Sequence, residues 1–104
     1  MNVINISSLE AKKMYDNKIK FIDVREEAEH EAARIPNTVL IPMSEISERL
    51  EEIPKNEEVV IYCRTGNRSG ILISQLIPMG YKNLYNLEGG IVDWHQNNLP
   101  VDIG

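Results

Sequence analysis

The chain has 104 residues and a mass of 11.9 kDa, the size of one domain, and its 42% hydrophobic content supplies a core without metal or disulfide staples. Eleven basic against sixteen acidic residues give a formal charge of -5, the wrong sign for a nucleic-acid binder or a ligand of anionic membranes, so neither partner is expected. A single cysteine, Cys63, excludes an intramolecular disulfide, a CxxC redox pair and a cysteine-cluster zinc site.

Val3 to Ile6 is a short β-prone stretch, and Ser7-Ser8-Leu9-Glu10 has the spacing of a capping box that opens a helix through about Tyr15. Lys20 to Val24 is apolar, partly β-branched and too short for a helix, whereas Glu26 to Ala33 consists of helix formers. Thr38 to Ile41 reads as a strand stopped by Pro42. Ser44 then caps an expected helix with Ile46, Leu50 and Ile53 on one face, ended by Pro54. Glu58 to Tyr62 is the strongest strand signal, its continuous apolar centre suiting a strand covered on both faces, and it delivers Cys63 at its C-terminal end. A helix is expected from Ser69 to about Ile77, closed by Pro78 and Gly80, and Asn83 to Leu87 is a further strand. Gly89-Gly90 turns the chain into a short helix over 91–98, with Trp94 and Tyr85 placed to cover the sheet, and Leu99 to Val101 is a tail.

No linker, repeat or low-complexity tract interrupts this order, so residues 1–104 are expected to form one domain. The N-terminus lacks a basic segment followed by a long apolar run, which indicates neither export nor membrane insertion. A reducing cytoplasm is the expected compartment, since a free thiol persists there. Alternating strands and helices predict an α/β fold, a mostly parallel central sheet with helices on both faces. Ligands of such sheets gather at the carboxyl ends of the strands, which is where Cys63 falls.

Cys63-Arg64-Thr65-Gly66-Asn67-Arg68-Ser69 follows a buried strand and precedes a helix, a geometry that turns backbone N-H groups and a helix N-terminus toward one sulfur. Oriented amides, the helix dipole and two guanidinium groups all favour a thiolate, so Cys63 is expected to be a nucleophile with a lowered pKa. Gly66 permits a tight loop, and Thr65 or Ser69 can offer a hydroxyl to a bound oxyanion. His30 and His95 lack ligand spacing, and no metal or cofactor is expected.

Three blocks in order make the sequence resemble a single-domain rhodanese, the thiosulfate sulfurtransferase family. They are Phe21-Ile22-Asp23-Val24-Arg25 with the segment to Pro42, the loop CRTGNRS, and Gly80 to Ile91 with Trp94. The resemblance implies a rhodanese-like domain over nearly the whole chain and sulfane-sulfur transfer through a Cys63 persulfide. The donor would be thiosulfate or a related small molecule, and the acceptor cyanide or a cellular thiol. It also implies that Arg64, Thr65, Gly66, Asn67, Arg68 and Ser69 bind the substrate and that Asp23 supports the loop as a partner of Arg68. Where rhodaneses commonly read Gly-His-Ile-Pro-Gly-Ala, this chain has Ala33-Arg34-Ile35-Pro36-Asn37-Thr38, so no role follows for Arg34.

Two other readings fit parts of the pattern. A persulfide carrier or partner-binding module, loaded by a sulfur-relay protein, would keep the same loop. A phosphatase or arsenate reductase also cradles an anion above a cysteine, but four residues separate Cys63 from Arg68, one fewer than the phosphatase signature. The narrower loop suits a sulfur-sized intermediate. With no second cysteine to resolve a persulfide, the sulfur must leave to an external acceptor.

Overall fold

The computed structural model describes residues 2–104. Five parallel strands form the central sheet in the order β1-β6-β5-β2-β4, where β1 is Ile4–Ile6, β2 Lys20–Asp23, β4 Val39–Leu40, β5 Val59–Tyr62 and β6 Leu84–Leu87. Helix α1 spans Ser8–Asp16, α2 Glu27–Ala32, α3 Asn67–Leu76 and α4 Gly90–Gln96. A separate antiparallel pair joins β3, Ala33–Arg34, to β7, Asp102–Ile103. No helix among the described residues is long and apolar enough to cross a membrane.

Strand alternation divides the interior into two layers. Val59, Ile61 and Cys63 face one side with Ile22, Val24, Leu72, Ile73 and Leu76, whereas Val60 and Tyr62 face the other with Phe21, Ala11, Ile91 and Trp94. Both sheet faces are therefore covered, as the unbroken apolar run of β5 requires. On the second side Tyr15, Phe21 and Trp94 meet edge to face at 5.4 to 5.8 Å, and the buried indole N-H donates to the Pro100 carbonyl at 2.7 Å.

The capping box opens α1 as its spacing predicts: Ser7 Oγ accepts from the Glu10 amide at 3.1 Å, and Glu10 Oε1 accepts from the Ser7 amide at 2.9 Å. The segment from Ser44 to Ile53 departs from expectation. It forms two 3-10 turns, Met43–Glu48 and Leu50–Glu52, divided at Arg49 with φ of -126°. The Ser44 hydroxyl does not cap a helix there, because it donates to Glu26 Oε1 at 2.7 Å. The acidic stretch also stops earlier than expected, at Ala32, since Ala33 is extended and enters β3. The C-terminal stretch after the Leu99–Val101 tail supplies its partner β7, which alternation of apolar and polar residues does not announce in two-residue strands.

Candidate active site

β2 and β5 lie side by side, with Asp23 in register with Tyr62. The chain leaves β2 for β4 on one side and then returns to β5 on the other, so the carboxyl ends of β2 and β5 flank a reversal of strand order. Cys63 sits at that end, 1% exposed. Helix α3 begins at Asn67, two residues earlier than the sequence suggests, so Asn67, Arg68 and Ser69 form its first turn.

Gly66, the residue before α3, has φ of +96°, and a Cβ there would collide with the Glu88 carbonyl. Only glycine suits this position. Its conformation aims the Gly66 amide at Cys63 Sγ, 3.1 Å away, and Ser69 Oγ lies 3.4 Å from the same sulfur. From beneath, the start of α4 grips the loop: the Ile91 amide donates to the Cys63 carbonyl at 3.0 Å and the Val92 amide to the Arg64 carbonyl at 3.1 Å. The first donors of α4 are thus consumed in holding the loop, while those of α3 and the loop itself surround the sulfur.

Burial works against a charged sulfur. The Ser69 hydroxyl and the amides of Ser69, Gly66 and Thr65 outweigh it and hold the Cys63 thiol below its ordinary value. The loop arginines have separate employments. Arg64 is exposed, as are Thr65 and Asn67, whereas Arg68 forms a two-pronged pair with Glu29 of α2, both bonds at 2.9 Å. That pairing holds the Glu29 carboxyl down at about 2, through the Arg68 hydrogen bonds first, against a smaller opposing effect of burial.

Asp23 is not the partner of Arg68. It is fully buried and accepts from the Arg25 amide at 2.9 Å and from the Arg25 guanidinium at 2.8 Å, with His30 Nδ1 at 2.9 Å. The cause is the pleat of β2: Asp23 and Phe21 point toward the Trp94 side of the sheet, while α3 packs on the side of Ile22 and Val24. Asp23 instead fixes Arg25, whose guanidinium reaches the Ala33 carbonyl at 2.6 Å and lies 5.8 Å from the centre of the Tyr62 ring. Arg34 donates to the His30 and Glu31 carbonyls at the end of α2, at 3.3 and 3.2 Å. It serves to close that helix.

Three residues beyond those expected complete the site: Arg25, Glu29 and Asn86. Asn86 is 4% exposed and bonds Ser69, Gly66 and Asn5 with its amide. Its sequence signal is a polar side chain inside the strand Leu84-Tyr85-Asn86-Leu87, at a position otherwise suited to an apolar residue. Glu29 had no comparable signal, being one of several acids on a helix. Among the described residues, no three histidine, cysteine, aspartate or glutamate side chains gather as metal ligands.

The fold and the loop define an α/β protein that presents a hydrogen-bonded cysteine from a strand-to-helix turn. Residues 7–97 match the Rhodanese-like domain family, and the chain belongs to that family. It is 38% identical over 101 residues to a sulfurtransferase of Allochromatium vinosum, covering 97% of this chain and 94% of that protein. It is 32% identical to the thiosulfate sulfurtransferase GlpE of Coxiella burnetii, covering 93% and 92% of the two chains. A crystal structure of a rhodanese-related protein from Thermoplasma volcanium superposes with a TM-score of 0.81 at 30% identity, over 100% of both chains.

Proposed function

We propose that the protein is a sulfurtransferase that moves sulfane sulfur from thiosulfate or a related donor to a thiophilic acceptor through a persulfide on Cys63. The observation that carries this reading is the sulfur of Cys63 held beneath the Gly66 amide and the Ser69 hydroxyl at the mouth of α3. Membership of the rhodanese family and likeness to two sulfurtransferases support it.

In the first half-reaction the Cys63 thiolate attacks the outer sulfur of thiosulfate. A new S-S bond forms, the donor's own S-S bond breaks, and its electron pair departs with sulfite. The product carries one negative charge on the terminal sulfur, and the loop amides between Arg64 and Ser69 receive it. Cyanide or a thiol then attacks that terminal sulfur, and the electron pair of the broken bond returns to Cys63 as thiolate. Exposed Arg64, Thr65 and Asn67 meet the donor's oxygens outside the loop, since Arg68 is engaged by Glu29. A reducing compartment such as the cytoplasm keeps the lone thiol ready for this cycle.

Intact mass after incubation with thiosulfate tests the reading. The expected result is a gain of one sulfur atom, absent in Cys63→Ser and removed by cyanide as thiocyanate. Labelling that survives in Cys63→Ser overturns the assignment of the nucleophile. Labelling by a protein persulfide but not by thiosulfate moves the reading to a persulfide carrier within a relay.

A further inference from the structure

The four donors around Cys63 differ in kind. The amide protons of Thr65, Gly66 and Ser69 are fixed by the backbone, but the Ser69 hydroxyl has one proton and two acceptors within reach. One is Cys63 Sγ at 3.4 Å. The other is Asn86 Oδ1 at 2.5 Å.

The orientation of the Asn86 amide is dictated by its other contacts. Nδ2 donates to the Gly66 carbonyl at 3.1 Å and to Asn5 Oδ1 at 2.9 Å. The Gly66 carbonyl can only accept, so turning the amide over would set two acceptors against each other in a buried place. Asn86 therefore always presents oxygen to Ser69. A neutral Cys63 thiol tolerates this, because its S-H can point at a lone pair of Ser69 Oγ. A thiolate has no proton to give and must compete with Asn86 for the one that Ser69 holds.

We propose that Asn86 is a positioning residue for sulfur transfer, drawing the single Ser69 proton toward itself and so setting how much of that donor the Cys63 sulfur receives. Its consequence for turnover rests on the sulfur-transfer reading above, but its geometry does not. The charged groups around the loop are Arg64 and Arg68 on it, Asp23 and Arg25 after β2, Glu29 and His30 on α2, and Glu88 after β6. None of them is altered by the variants below.

The test is the pH dependence of Cys63 alkylation by iodoacetamide, scored by mass, in the wild type, Asn86→Leu, Ser69→Ala and the double variant. Loss of the competing oxygen leaves the Ser69 proton to the thiolate, so the midpoint of Asn86→Leu falls by about one pH unit. In the Ser69→Ala background the same substitution produces no fall. The Gly66 carbonyl keeps its bond from the Gly70 amide at 3.1 Å, so Asn86→Leu does not orphan it. A midpoint that stays or rises in Asn86→Leu, or a fall that persists without the Ser69 hydroxyl, overturns the proposal.

Should Asn86→Leu fail to fold, Asn86→Val removes the same oxygen with less bulk and suits a strand. Its midpoint falls with Ser69 present and not in the Ser69→Ala background, and equal shifts in the two backgrounds overturn the proposal. Alkylation involves no sulfur donor, so the two readings fail separately. Expected midpoints with no persulfide from thiosulfate count against the proposed function, and normal persulfide formation with unmoved midpoints counts against Asn86.

Discussion

Arg64 and Arg68 carry the same charge on one loop, and their surroundings divide the work. Arg68 is spent on Glu29, an ion pair that joins α3 to α2 across the site, while Arg64 is exposed and pairs with no other described residue. Replacing Arg64 with Ala is expected to raise the KM for thiosulfate by roughly tenfold with little change in Tm, because an exposed side chain that holds nothing else affects binding alone. Arg68→Ala is expected to act on both, lowering Tm by a few degrees as the loop loses its anchor, since an ion pair this exposed contributes about 1 kcal/mol. Steady-state kinetics beside thermal melts distinguish the two, and equal Tm losses would show that the arginines share one role. The place of the loop, between the end of β5 and the start of α3, could be read from the sequence because its signals are local. The partners of Asp23 and Arg68 could not, since they depend on which face of the sheet each side chain takes. Arg68 meets a glutamate 39 positions away, on a helix whose many acids look alike.

Two elements meet at the loop, and glycine decides how closely they approach. Gly90, the first residue of α4, has φ of +63° and lies so near the loop that a Cβ would strike the Arg64 carbonyl and the Thr65 amide nitrogen. Gly80, after α3, has φ of +92° but open space around it. Both alanine variants incur left-handed strain of about 1 kcal/mol, but only Gly90→Ala must also push the loop off α4. The expected outcome is a similar or smaller loss of Tm in Gly80→Ala with sulfur loading intact, against loss of loading of more than tenfold in Gly90→Ala. Normal loading in Gly90→Ala would mean that the loop keeps its shape without the grip of Ile91 and Val92. At this scale the sequence was a good guide where one signal dominated, as in the capping box of α1 or the apolar run of β5. It misled between Ser44 and Ile53, where helical spacing of Ile46, Leu50 and Ile53 is real but Ser44 is drawn to Glu26 and Arg49 leaves the helical region. Those are tertiary effects that periodicity does not contain.

Over the whole molecule, the sheet is held from both sides by apolar layers, while α2 reaches the site through charged and polar bonds. The Glu29 to Arg68 pair connects α2, which buries no residue of its own, to α3, which is anchored by Leu72, Ile73 and Leu76. Acid should therefore test the site's anchorage. Glu29 is held down from its ordinary 4.5 to about 2 in the folded protein. A carboxylate depressed by folding contributes its full stability above the unfolded value, and that contribution is lost as pH falls from about 4.5 through about 2. With a third of the Glu29 side chain exposed, solvent screening limits the contribution to about 1 kcal/mol. Urea denaturation followed by the fluorescence of buried Trp94 measures it, and the wild type is expected to lose stability more steeply than Glu29→Gln between pH 4.5 and 2. Glu29→Gln keeps the size of the side chain and removes the charge that Arg68 pairs with, so the difference in slope reports the pair. Parallel profiles would mean that α2 is held to the site by the Asp23, Arg25 and His30 cluster alone.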